Sequence, residues 1–161
     1  MPVLFAGALA FARWLGRTDK WLRACAVLAP GAALWFAFHL LLEPYPALAA
    51  RPGLLFGFIF AADLVLLAVV WLDKELRPVH LAAGGAAFLL LALWIGKFMT
   101  IELMNWGLGL CLVFALLHSV YPVVLEKLRP GRHPLWWAHC FPVAALVLLL
   151  IPLLKFEQSP L

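Results

Sequence analysis

Asp63 sits in the middle of the apolar run LLFGFIFAADLVLLAVVWL, nine residues from either end. A carboxylate at the centre of a bilayer costs about 2.5–3.5 kcal/mol on insertion scales, so such an acid faces other helices or a polar cavity. Two roles are open to it. It can make an interhelical hydrogen bond, or it can serve as a proton relay or substrate contact. Nothing beside it in sequence completes a motif.

The segment HSVYP places His118, Ser119 and Tyr121 in one later apolar run, and His139 with Cys140 falls in the next. His118 and Tyr121 are three residues apart and share a helix face. The connector between these two runs is short, which predicts antiparallel neighbours. His118 lies about seven residues before it and His139 about four after it. At 1.5 Å per residue both would sit at comparable depth, roughly 10 Å and 6 Å in. Polar packing and proton handling with Asp63 are both open to this group. A metal site is a third reading, but the spacing matches no ligand pattern and a fourth ligand is missing. His39 and Glu43 are four apart and read as an interface anchor, while Lys97 and Glu102 flank a connector and read as solvated.

Familiar catalytic patterns are absent. There is no H-E-x-x-H, no P-loop and no G-x-S-x-G. No pair of intramembrane aspartates suggests an aspartyl protease, and no acidic cluster suggests Mg²⁺-dependent transfer of a lipid phosphate. No cofactor is implied. Cys25, Cys111 and Cys140 all lie in apolar runs without paired spacing, which reads as free thiols.

The elements that must hold these residues follow from composition. Of 161 residues, 66% are hydrophobic and 12% charged. A soluble domain carries about 25% charged residues, so this chain cannot cover a water-facing surface. Six apolar runs stand out, at 2–15, 21–42, 54–72, 79–95, 103–125 and 135–154. The last five reach the 17 or so residues a spanning helix needs. The first is short, has no basic n-region of a signal peptide, and reads as a short first span or the remnant of one. The expectation is an all-α membrane protein: one polytopic domain over 1–161, a bundle of about six transmembrane helices.

Charge gives a direction. Nine of the 12 Lys and Arg residues fall around connectors 13–23, 73–78 and 126–134; Arg51, Lys97 and Lys155 fall on the opposite side. Cationic connectors are retained in the cytoplasm. The odd connectors are therefore expected to be cytoplasmic, in a bacterial inner membrane. Charge distributed this way is not a nucleic-acid patch. Trp14, Trp21, Trp71, Trp106, Trp136 and Trp137 sit at expected helix ends, where indole favours the headgroup zone. Pro30, Pro122, Pro142 and Pro152 lie in or near the ends of runs as candidate kinks. The segment AAGGAA, residues 82–87, allows close helix approach, and its helix is expected to pack centrally.

The stretch LLFGFIFAADLVLLAVVWLDKELRPVHLAAGGAAFLLLALWIGKF, continuing MTIELMNWGLGLCLVFALLHSVYPVV, resembles a repeating unit of a bacterial family of predicted multi-spanning membrane proteins, the domain of unknown function 2339. The resemblance is best over residues 54–125 and is one of pattern. It implies that the chain is a fragment or truncated relative of longer proteins. It carries over no activity and no functional residue.

Three functional classes follow. The first is a structural or assembly module, a helical bundle that packs with other membrane helices or with a second copy of itself. The second is a transporter or channel component with Asp63 and His118 on a polar intramembrane path. The third is a membrane-bound enzyme.

Overall fold

Proline and charge set where the helices begin and end. The structure is a computed structural model that describes residues 20–42, 46–130 and 135–157, with a few isolated positions before Lys20. Those positions apart, the expected first span over 2–15 lies outside the described residues, as do Glu43 and residues 131–134. Five helices of several turns follow one another: α1 (Lys20–Leu42), α2 (Pro52–Leu72), α3 (Pro78–Phe98), α4 (Met104–Leu128) and α5 (Cys140–Glu157). A one-turn helix, Pro46–Ala49, precedes α2, and 3₁₀ turns at Lys74–Leu76, Ile101–Leu103 and Trp136–His139 lead into the later helices. There is no strand among the described residues.

Pro52 and Pro78 open α2 and α3, in the first turn, where the missing N–H would have had no intrahelical partner. Asp73 closes α2. Its backbone turns extended, its N–H reaches back to the Val69 carbonyl, and its side chain accepts from the Glu75 N–H at 3.0 Å. That Asx-type turn lets α3 start only a few residues later. Pro30, Pro122 and Pro152 lie inside helices. Membrane helices tolerate this where neighbours satisfy the freed carbonyl.

Among the described residues, four helices are long and apolar enough to cross a membrane: Lys20–Leu42, Pro52–Leu72, Pro78–Phe98 and Ile101–Leu128. Twenty-one residues of α-helix measure about 32 Å, close to the ~30 Å hydrocarbon core of a bilayer. The described apolar part of the last helix, Trp136–Pro152, is shorter. Apolar residues cover the outside of the bundle as well as the inside: Leu54, Leu89, Leu112, Leu116 and Leu146 are all exposed. Such a surface would associate in water and is at home against lipid.

The helix from AAGGAA does pack centrally: α3 touches each of the other four. Gly84 explains how. A Cβ there would collide with the Phe141 ring of α5 and come within 3.0 Å of His118 Nδ1 on α4. Gly85 faces open space, so only one of the two glycines is a close-approach residue.

At one end of the bundle the connectors are tied together. Arg23 of α1 pairs with Asp73 at 2.8 Å and with Glu75. The buried Arg77 guanidinium pairs with Glu126 and donates to the Arg129 carbonyl at 2.8 Å. Arg129 in turn donates to the Trp71 carbonyl at 2.8 Å and covers the Trp71 ring. The basic connectors expected on one side thus meet at one end. Trp21, Trp106 and Trp136 are exposed, and Trp71 and Trp137 are half-buried. Trp94 is different: it is fully buried, edge-on to Phe56.

Candidate functional site

Three helices each deliver one titratable side chain to the same buried spot. On α4 the buried residues Cys111, Phe114, His118, Pro122 and Leu125 recur every three or four positions, so His118 points where the core points. On α2 Asp63 lies on the stripe of Phe56, Ile59, Leu66 and Val70. On α3 the stripe is His80, Gly84, Ala87, Leu91 and Trp94, with His80 in the first turn. Asp63, His80 and His118 have no exposed surface.

The contacts form a chain. Asp63 Oδ2 lies 2.9 Å from His118 Nε2, and His118 Nδ1 lies 3.4 Å from His80 Nε2. The first is a short contact suited to a charge-assisted hydrogen bond, and the second is longer and weaker. Aromatic rings seal the imidazoles. Phe141 lies 4.9 Å from the His118 ring and meets the His80 ring edge-on at 5.3 Å. Tyr121 stacks on His80 at 5.5 Å, and its hydroxyl donates to the Leu67 carbonyl at 2.6 Å. Low local polarity strengthens contacts of this kind and makes any unpaired polar atom costly. Within this chain of three residues, Asp63 Oδ1 and His80 Nδ1 are buried without a hydrogen-bond partner. They are the two ends of the chain.

Of the residues singled out in sequence, Asp63 and His118 come together and Tyr121 stands beside them. His139 does not join them. It is exposed, in a groove outside α4 shared with Ser119, Glu126 and Trp136. Cys140 is exposed as well. The depth argument for His118 and His139 left out helix face, and the 3₁₀ turn Trp136–His139 rotates His139 outward. Both His118 nitrogens are turned inward to Asp63 and His80 while His139 and Cys140 are exposed, so the three are not gathered in one cluster. Lys97 and Glu102 are exposed, as solvated residues would be, and His39 is exposed near the end of α1.

His80 was missed by sequence reasoning. It stands three residues after Arg77, next to a charged turn, where histidine reads as an interface residue. The available signal was its position four residues before Gly84, on the small-residue face of α3.

Among the described residues, fold and site together define a helical bundle with four helices of membrane-spanning length and a buried carboxylate–imidazole–imidazole chain joining three of them. No protein-family model, no curated protein and no solved structure matches the chain.

Proposed function

We propose that this chain is a multi-pass protein of the bacterial inner membrane that serves as a structural or assembly module, packing with further membrane helices or with a second copy of itself. The observation that carries this reading is the Asp63–His118 contact, 2.9 Å long and fully buried, which ties α2 to α4 inside the bundle. Exposed apolar faces on the outer helices offer surface for partners as well as for lipid. The excess of Lys and Arg at the end where Arg23, Arg77 and Arg129 cluster supports a cytoplasmic placement of that end. Kinship with the domain of unknown function 2339 belongs to the same proposal and adds no activity.

The second reading, a transporter or channel component, draws on the open atoms Asp63 Oδ1 and His80 Nδ1. Against it, Phe56, Phe60, Phe114 and Trp94 fill the bundle beyond Asp63.

Asp63→Asn and Asp63→Leu separate the two. Under the module reading Asn keeps expression and the unfolding temperature close to wild type, because an amide still hydrogen-bonds to His118. Leu lowers both. An unchanged unfolding temperature in Asp63→Leu defeats the module reading. If both variants fold normally yet abolish a measurable flux or growth phenotype, the transporter reading replaces it.

A further inference from the structure

We infer that Asp63, His118 and His80 form a one-ended proton wire, a site that takes up and releases a single proton through the end of the bundle where Arg77 and Glu126 pair. The inference rests on the membrane-spanning reading above and deepens it by naming the ligand of the buried chain.

The order of the three residues along the bundle gives the wire its direction. His80 lies in the first turn of α3, three residues after Arg77. Asp63 lies nine residues before the end of α2, about 14 Å in from that end at 1.5 Å per residue. Beside Arg77 a cavity of about 80 Å³, lined by Lys74, Arg77 and Arg129 among others, has room for water. On the far side of Asp63 the core is aromatic. Phe60 and Phe56, one and two turns back on α2, pack against Phe114 at 6.0 Å and 6.2 Å, and Phe56 packs against Trp94 at 5.6 Å. His80, itself fully buried, is the member of the chain nearest the end that holds this cavity, and aromatic packing closes the side beyond Asp63.

Two proton arrangements satisfy both internal contacts with the heavy atoms in place. In the first, Asp63 is a carboxylate. His118 Nε2–H donates to Asp63 Oδ2, His80 Nε2–H donates to His118 Nδ1, and His80 Nδ1 is a bare lone pair. A proton arriving at His80 Nδ1 releases the Nε2 proton to His118 Nδ1, and His118 then passes its own Nε2 proton to Asp63 Oδ2. In the second arrangement the Asp63 hydroxyl donates to His118 Nε2, His118 Nδ1–H donates to His80 Nε2, and His80 Nδ1 carries a proton. The chain has gained one proton, its net charge has gone from −1 to 0, and each hydrogen bond has reversed direction. Release is the same sequence backwards and resets both tautomers. Conduction straight through would require both imidazoles to turn over after every passage, and rings packed against Phe141, Phe88 and Tyr121 resist that.

The surroundings contain few competing groups. α4 contributes Tyr121, hydrogen-bonded to the Leu67 carbonyl, and Glu126, paired with Arg77. Asp73 and Glu75 pair with Arg23, and Arg129 lies over Trp71. α5 presents Phe141, and the buried face of α1 is Ala26, Pro30, Leu34, Ala37 and Leu41. Asp63 and the two histidines are the ionisable side chains in mutual contact here, with the Cys111 thiol two turns away on the same buried face of α4.

The test uses the whole protein in phosphatidylcholine–phosphatidylglycerol vesicles. Infrared difference spectra after a pH step report the C=O stretch of a protonated carboxyl, and an entrapped pH-sensitive dye reports net flux. In wild type one carboxyl band appears reversibly on acidification, and it is missing in Asp63→Asn. His80→Phe keeps the stacked ring but removes the entry nitrogen, and slows the band at least tenfold. The dye shows no sustained flux. Absence of an Asp63 band at every pH where the protein stays folded overturns the proposal. So does a wild-type rate in His80→Phe, or a steady proton current. If His80→Phe fails to fold, the Asp63 band and the dye still decide. A missing band with the Asp63→Leu stability loss intact sinks the wire alone; no stability loss sinks the module reading.

Discussion

Asp63 and His118 stand 55 residues apart in the chain and 2.9 Å apart in the fold, with neither side chain exposed. The contact joins the second helix of the bundle to the fourth, beside the Tyr121–Leu67 hydrogen bond and the packing of Phe56 and Phe60 on Phe114. Such a contact is judged by coupling, because removing one partner leaves the other buried and unpaired.

In a double-mutant cycle of Asp63→Leu and His118→Leu, the single changes are each expected to destabilise and the pair to cost less than their sum. The coupling is expected to be about 1–2 kcal/mol, the upper part of what polar contacts between membrane helices give. Reversible unfolding in mixed micelles measures it. Strict additivity would mean that the two residues do not act together.

Gly84 and Gly85 make a paired prediction. Gly84→Ala pushes a methyl group into the Phe141 ring and against His118 Nδ1. It should destabilise by about 1–3 kcal/mol, the usual cost of overpacking. Gly85→Ala meets nothing within 4 Å and should be neutral or slightly stabilising, since alanine is the better helix former. Thermal unfolding of the two variants side by side decides; equal effects would contradict the close approach at Gly84.

Arg77→Lys is expected to destabilise despite keeping the charge. The guanidinium donates from Nη1 to Glu126 and from Nη2 to the Arg129 carbonyl, and a single ammonium cannot reproduce that fork. A loss of about 1–3 kcal/mol is expected, comparable to removing a hydrogen bond to a charged group. Lys97→Arg, at an exposed position, serves as the control. An unfolding midpoint for Arg77→Lys equal to wild type would show that charge alone suffices there.

Thiol labelling tests burial and orientation. Cys140 is exposed and Cys111 buried, so a maleimide should modify Cys140 in the native protein and Cys111 only after denaturation. In a cysteine-free background, Glu102→Cys should react with an impermeant maleimide in intact cells, and Lys74→Cys only after permeabilisation. The reverse pattern would invert the proposed topology.

The helices were legible in sequence because long apolar runs broken by proline and charge leave few other readings. Apolar length placed α1 to α4 within a few residues, and the prolines at 52 and 78 marked two starts. Asp63 stood out because a charge among 18 apolar neighbours has only costly explanations. His118 could be joined to Asp63 from sequence as one of several open readings, but preferring it over His139 required knowing how α2 and α4 pack. His80 was hidden by its nearness to Arg77. His139 misled because depth along a helix can be counted from sequence, whereas the face it takes depends on the 3₁₀ turn before α5.

The separation of Asp63 from its partner also bears on how the protein is made. At about 5–20 residues per second, 55 residues take about 3–11 s to synthesise, so α2 is complete for seconds before His118 exists. During that interval the acid has no mate, and a lone α2 would carry its insertion penalty uncompensated. Under the proposed membrane-spanning arrangement, biogenesis would then depend on a holding step, in which α2 is kept beside a wet or protein surface until α4 is delivered.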